Sequence, residues 1–431
     1  MSTTSLYREL ELLESTDDSV SLGIIGVGRM GRSIAITSER LTGIEVVAIA
    51  DVDLDRSWET VQAMGYDETN VGVAETVPEA DAMLSDGHRV LTTDGFVLPQ
   101  LEKLDVIICA TGIPQVGAKA ALRSITNGKH VVMLTDETDA VVGPYLSLLA
   151  KEAGVTYCGA AGDEPGAIME LYNFVKSCGF DVVAAGKGKN NPLDRTATPS
   201  SVAEQAREKD LNPEIYTAFV DGTNSMLEMT MVANATGLTV DTRGMHGPEV
   251  SSVEALADVF STGGESGILS QSGVVDYALG GDVAPGVFVV VTTESDTIQE
   301  DLEYLKLGSG PNYVFYRSYH IPTIEPLLSA ARAGLGGDAS LVPQKPVVDT
   351  VAVAKCDLSA GDEIDGIGGH TVYGLTERAD VVADENMVPI SLVEGATVQQ
   401  SVSKDEPIRY EDVEVQDSDL YHLRKLQDSH F

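Results

Sequence analysis

Two lysines two residues apart, Lys187 and Lys189, stand in the segment "AAGKGKNNPLDRTATP" (184–199), with Arg195 close behind. Residues i and i+2 of an extended chain point to the same side. If the strand "DVVAAGKG" leaves its sheet in extended form, both ammonium groups face one cleft, expected between a cofactor domain and a middle domain. Two cations there would hold a phosphate or carboxylate, or polarise a carbonyl as negative charge develops on its oxygen. Asn190, Asn191 and Arg195 add donors for hydroxyls or for an anion. The opposing reading is a surface turn with solvated lysines, the ordinary fate of exposed Lys. Yet Lys and Arg together number 28 against 67 Asp and Glu, so a gathering of cations in one irregular segment favours use.

Five further residues join this constellation. Asp221 opens the helix in "FVDGTNSMLEM", where Asp and Asn also cap orphan N–H groups; it is read as catalytic beside that capping role. Glu228, one turn on, is either a proton carrier or a solvated helical acid. His246, held between glycines in "RGMHGPE", is a candidate general acid or base, with a structural role as the alternative. Arg317 and His320 of "YRSYH" would close on a substrate or bridge subunits. Asp136, Glu137, Asp139, Asp163 and Glu164 offer hard oxygen ligands, so a divalent cation is a candidate cofactor. In so acidic a chain solvated surface is the default for them, and no metal ligands are assigned.

A second kind of chemistry is written in glycine. Gly26, Gly28 and Gly31 form G-x-G-x-x-G between a strand and a helix, and Asp51 ends the next strand about 20 residues on. Gly26 allows the tight turn, Gly28 lets the backbone approach a pyrophosphate, and Gly31 lets the helix pack closely. Arg29 and Met30 lie inside the motif. Ala110, Thr111 and Gly112, closing the strand "KLDVIICATG", are assigned to the same site. Asp51 would accept the ribose hydroxyls and favours NAD, whereas Arg29 and Arg56 would admit NADP; the reading is NAD or NADP.

These side chains need a scaffold. "SVSLGII", "IEVVAIAD", "KLDVIICATG" and "KHVVMLTD" read as buried strands separated by helix-length segments, which implies right-handed crossovers and a parallel sheet. The fold class is α/β: a Rossmann sheet over 1–165, to which a helix near 321–335 is expected to return. An α+β catalytic and oligomerisation domain over 166–345 carries long amphipathic helices in "AIMELYNFVKSCG" and "NSMLEMTMVANATGL". "GGDASLVPQKPVVD" reads as a linker to a small β-rich domain over 346–431.

The 431 residues carry a formal net charge of −39, spread from end to end. That disfavours nucleic acid as a partner and suits a halophilic protein kept soluble in concentrated salt. No apolar run approaches the roughly 18 residues that span a bilayer, and the start "MSTTSLYREL" is not that of a signal peptide. A cytoplasmic protein with no membrane partner is expected. Cys109, Cys158, Cys178 and Cys356 lack paired spacing and read as buried free thiols in a reducing compartment.

The glycine motif, "GDEPGAIMELYNFVKSCGFDVVAAGKGKNNPLDRTATP", "FVDGTNSMLEMTMVANATGL", "GPNYVFYRSYH" and "DGIGGHTVYGL" together resemble one group. It is that of the homoserine-dehydrogenase-like NAD(P)-dependent oxidoreductases with a C-terminal SAF domain, which includes the deoxyxylulose-phosphate-reductoisomerase-like enzymes. Homoserine dehydrogenases usually place an Asn-Lys pair where this chain has "VVMLTDETD", without a lysine. The resemblance implies a homo-oligomer that reduces or oxidises a small hydroxylated, anionic carbonyl or alcohol. It leaves as alternatives a reductoisomerase needing a divalent metal, a homoserine dehydrogenase, and a non-catalytic NAD(P) or sugar sensor. The SAF domain would act as substrate lid or subunit contact.

Overall fold

The computed structural model describes residues 5–431; the first four residues of the leading stretch lie outside that range. The chain divides into two compact units, Met1–Gly166 with Ile321–Val342, and Ala167–His320 with Pro343–Phe431.

In the first unit, short apolar runs form seven strands: β1 Val20–Ile25, β2 Ile44–Ala50, β3 Val71–Val73, β4 Arg89–Thr92, β5 Val106–Cys109, β6 His130–Met133 and β7 Tyr157–Gly159. They lie parallel in the order β3-β4-β2-β1-β5-β6-β7. β1 and β5 are buried at every position, as strands covered by helices on both faces must be. From β1 the chain winds one way through β2 and the other way through β5, so the order reverses at the carboxyl ends of β1 and β5. That is where open α/β sheets bind ligands. β3 and β4, three and four residues long, are too short to announce themselves in the sequence. The helix Pro326–Gly334 returns to this unit and adds Leu327, Ala330 and Ala331 to its core.

The second unit is built on β8 Asp181–Gly188, β9 Glu249–Val250, β10 Val274–Gly280, β11 Val287–Thr292 and β12 Asn312–Arg317, ordered β12-β11-β8-β10-β9. The helix Thr223–Thr236 was expected to be amphipathic, yet nearly all of it from Thr223 to Asn234 is buried. The reason is a second layer. β13 Val348–Ala354 and β14 Val372–Arg378 pair antiparallel and cover the side of the helix that the sheet leaves open. One core therefore runs from Val275 and Val289 through Met226 and Met229 to Val351 and Tyr373. The C-terminal region, expected as a separate domain from residue 346, shares this core. Its linker is also tied down: Asn234 Oδ1 accepts from the backbone N–H of Val347 (2.7 Å) and Val348 (3.1 Å).

All four cysteines are free, but only Cys109 and Cys158 are buried; Cys178 and Cys356 are exposed, which corrects the expectation for those two. No helix of the described residues is long and apolar enough to cross a membrane. Nor do three or more His, Cys, Asp or Glu side chains among them gather where one metal ion would sit. The acids expected on the surface near residue 136 are instead sunk into the first unit: Asp136 is 9% and Asp139 1% exposed.

Asp139 lies beside Tyr157, and neither the carboxylate nor the phenol makes a well-formed hydrogen bond. Burial pushes Asp139 up to about 7. A carboxyl raised in the folded state takes up protons on folding, so its contribution is fully present below the unfolded value near 4 and is lost as pH rises through about 7. Asp139→Asn keeps the shape without the charge. Urea unfolding of that variant should show a smaller fall in stability between pH 5 and about 8 than the parent shows. Equal slopes would mean that Asp139 is not protonated in the folded chain.

Candidate functional site

The turn after β1 has the geometry its glycines require. Gly26 has φ +92°, and a Cβ there would meet the Ala110 carbonyl at 2.7 Å, so the turn after β1 lies directly against the end of β5. A Cβ on Gly31 would meet the Gly26 carbonyl at 1.9 Å, which only glycine avoids. Gly28 faces open space, with nothing within 4 Å of a built Cβ. It is also the N-cap of the helix Arg29–Ser38 and supplies no side-chain cap. The first-turn N–H groups of that helix are thus left for an anion, beside the exposed Arg29 and Met30. Gly112, with φ +65°, likewise opens onto free space, and Thr111 folds over it by accepting from Ile113 N (3.2 Å).

Asp51 does more than await a ribose. Its Oδ2 accepts from Val27 N (2.8 Å) and its Oδ1 from Asp53 N (2.9 Å), so it pins the glycine turn to the end of β2. Arg56 Nη1 lies 3.6 Å from Oδ1. Acid and base stand together here, which keeps both NAD and NADP open. The residues fit a dinucleotide: an open cradle at Gly28, free helix N–H groups, and a carboxylate at the end of β2 with acceptor capacity to spare.

In the second unit the two lysines are buried, Lys187 to 5% and Lys189 to 6% exposure, which rules out the solvated turn. Lys187 is the penultimate residue of β8 and pairs with Glu228 of the buried helix Thr223–Thr236. The other oxygen of Glu228 accepts from Asn224 Nδ2 at 2.5 Å. Lys189 donates to the Phe219 carbonyl, and its own N–H is held by the Ala278 carbonyl (2.9 Å). Burial, then the Lys187 charge, pushes Lys189 down to about 8, against the pull of Glu228 and Asp221. The two ammonium groups share one neighbourhood, as the i, i+2 spacing requires.

Asp221 ends the helix Pro213–Asp221 and is 1% exposed. Its Oδ1 caps the next helix at Thr223 N (2.9 Å) and its Oδ2 pairs with Lys355 Nζ (2.9 Å). Lys355 also donates to the carbonyls of Ala197 (2.8 Å) and Gly369 (2.8 Å), so all three of its protons are used. Lys355 was missed, because its partner lies 134 residues away in sequence. Glu228 was weighed as a solvated acid. The apolar residues on every side of it (Met226, Leu227, Met229, Met231, Val232) were the signal that the helix is buried all round.

The other candidates lie at varied distance from the lysines. Arg317, Val287, Lys187 and Tyr277 form one row across β12, β11, β8 and β10 and share a face. Arg317, however, is committed to Glu170 (2.8 Å). His320 contacts the Pro285 carbonyl (2.7 Å). His246 lies on a loop beside Tyr277, its ring 2.8 Å from Asp241 and its N–H donated to Asp276 (3.0 Å). Asn190 is exposed, and Asn191 accepts from Lys209 (3.5 Å).

Residues 162–326 match the family model described as "Oxidoreductase DRL, catalytic domain", and residues 349–414 match the SAF domain. The first match holds every lysine-cluster residue except Lys355, which falls in the second. It supports the oxidoreductase and SAF parts of the resemblance, not its homoserine dehydrogenase label. No curated protein matches the chain. Among solved structures, a probable dehydrogenase from Thermotoga maritima is 14% identical, covering 75% of this chain and 91% of its own at a TM-score of 0.43. Scyllo-inositol dehydrogenase from Lactobacillus casei, solved with NAD(H) and scyllo-inositol, is 11% identical over 76% and 92%, with a TM-score of 0.40. At such depth neither bears on substrate. The oxidoreductase domain and the dinucleotide turn agree on an NAD(P)-dependent dehydrogenase or reductase.

Gly28→Val should fold with an unchanged melting temperature yet lose NADH and NADPH binding, measured by fluorescence titration. Gly31→Ala, crowding the Gly26 carbonyl, should destabilise the unit by about 1–3 kcal/mol. Cofactor affinity unmoved in Gly28→Val would displace the site from this turn. Lys355→Met leaves the Asp221 charge buried and unpaired and should cost about 3–5 kcal/mol in urea unfolding; Lys355→Met with Asp221→Leu should regain most of that. A double variant no more stable than the single one would mean the pair is not coupled.

Proposed function

We propose that the chain interconverts an alcohol and a carbonyl on a small hydroxylated, anionic substrate, with Lys189 as the proton carrier. The observation that supports this most is the buried lysine pair, in which one member is held by a carboxylate and the other is brought to about 8. A proton carrier works best with its pKa near the working pH. NAD or NADP, held by Gly26–Gly31, Asp51 and the 110–112 turn, would supply or accept the hydride when bound.

The chain's own residues divide the remaining work. Lys187, clamped by Glu228, keeps a fixed positive charge near the oxygen on which negative charge builds. Lys189, hydrogen-bonded to the neutral Phe219 carbonyl, can give up and regain its proton at Nζ. Below about 8 it is an acid suited to carbonyl reduction; above, a base suited to alcohol oxidation. His246 with Asp241 is assigned to the rim of the same site.

The test is cofactor absorbance in concentrated salt, chosen for the acidic surface, against a panel of sugar phosphates, sugar acids and amino-alcohols. Lys189→Met should lower turnover by about 10²–10³. In the parent, oxidation should climb as pH rises through about 8 and reduction should decline over the same range, and the variant should lose that limb. Parent rates in Lys189→Met would overturn the assignment.

A further inference from the structure

One guanidinium in the second unit stands apart. Arginines at similar depth are paired: Arg243 with Glu377 and Glu385, Arg317 with Glu170, and Arg424 with Asp349 and Asp428. Arg195 has no carboxylate partner among the described residues, in a chain of 67 acids, and its Nε is buried without a hydrogen bond. The acids around it are already engaged. Asp194 accepts from Thr196 N (2.9 Å) and Thr196 Oγ1 (2.6 Å). Asp221 is taken by Lys355. Asp276 accepts from the backbone N–H of His246 (3.0 Å), Gly247 (2.9 Å) and Tyr277 (2.8 Å).

The guanidinium carbon lies 5.9 Å from the Tyr373 ring centre, and the Tyr277 phenol is close enough to feel the charge. Gly244 lets its loop pack beside the guanidinium: a Cβ there would stand 2.8 Å from Leu375 Cδ2 and 3.4 Å from Arg195 Nη2. The guanidinium's neighbour Tyr277 adjoins the lysines: it is the cross-strand partner of Lys187, and the next residue, Ala278, holds the Lys189 N–H.

We propose that Arg195 is the anion-recognition group of the substrate site, taking a carboxylate or phosphate of the substrate in two-pronged fashion between Tyr277 and Tyr373. This rests on the function proposed above and narrows its substrate class. A guanidinium with a buried, unbonded Nε and no counter-ion is unfavourable alone and is relieved by a bound anion. The planar fork suits carboxylate and phosphate, which a lysine meets only as a point charge. A chain of net charge −39 repels anions at long range, so an anion bound here owes its affinity to local contacts.

The experiment is calorimetric titration of the full-length Gly28→Val protein with inorganic phosphate and, separately, with malonate. Gly28→Val closes the other anion site, at the glycine turn, and no cofactor is needed. Binding of at least one anion is expected, the tighter one naming the group carried by the substrate. Adding Arg195→Met should weaken that binding about 10-fold or more, and Arg195→Lys by less, with unchanged far-ultraviolet circular dichroism. If neither anion binds, or if both Arg195 variants bind as tightly as the background, the proposal is overturned. Failure of the oxidoreductase reading shows differently: cofactor absorbance would stay flat in the parent while the Arg195-dependent titration persisted.

Discussion

Keeping two like charges inside the protein, two residues apart, is the constraint on which the second unit is built. Two buried ammonium groups repel each other and each loses its hydration, a combination that unfolds a site unless compensation is arranged around it. A carboxylate at equal depth answers this need. Glu228 can be at that depth only if its helix is buried on all sides, and a helix covered by a sheet on one face needs a second layer on the other. β13 and β14 are that layer. The same layer brings Lys355, whose charge in turn lets Asp221 stay buried at the neck between two helices.

The surplus of surface acid and the buried cations obey different rules. At high ionic strength surface repulsion is screened within a few Å, so the net charge of −39 can be carried there without large cost to the fold. The ion pairs Lys187–Glu228 and Lys355–Asp221 lie beyond the reach of salt, at 6% side-chain exposure or less. The chemistry proposed for the lysines is thereby separated from the medium.

The legibility of the chain followed the range of its interactions. The glycine turn is local: strand, turn, helix and next strand lie within one βαβ unit, so the residue types and their spacing determined the geometry. The spacing of Lys187 and Lys189 is local too and correctly put both on one side. What escaped notice is non-local. Lys355 meets Asp221 through tertiary packing alone, and nothing near it in sequence marks it. Glu228 was readable in principle from the apolar residues surrounding it, but a helical acid is usually solvated. The shared core of the second unit is non-local too: glycines and prolines near 346 mark a change of direction and do not reveal that the next strands pack against the helix Thr223–Thr236.

The two lysines differ in the partner each is given, and that difference is what turns a pair of charges into a mechanism. An ammonium held by a carboxylate at close range stays charged, because losing its proton would leave the carboxylate buried alone. Lys187 is in this position. An ammonium held by a backbone carbonyl gains a hydrogen bond but no compensating charge, so its proton is held loosely, the more so with a fixed cation beside it. Lys189 is in this position, and its lowered pKa follows from burial and from Lys187. Exchange the partners and the roles exchange with them: a lysine paired to Glu228 at position 189 would be the fixed charge, and its neighbour the proton carrier. The identity of the proton carrier is therefore a property of Glu228 and the Phe219 carbonyl as much as of either lysine.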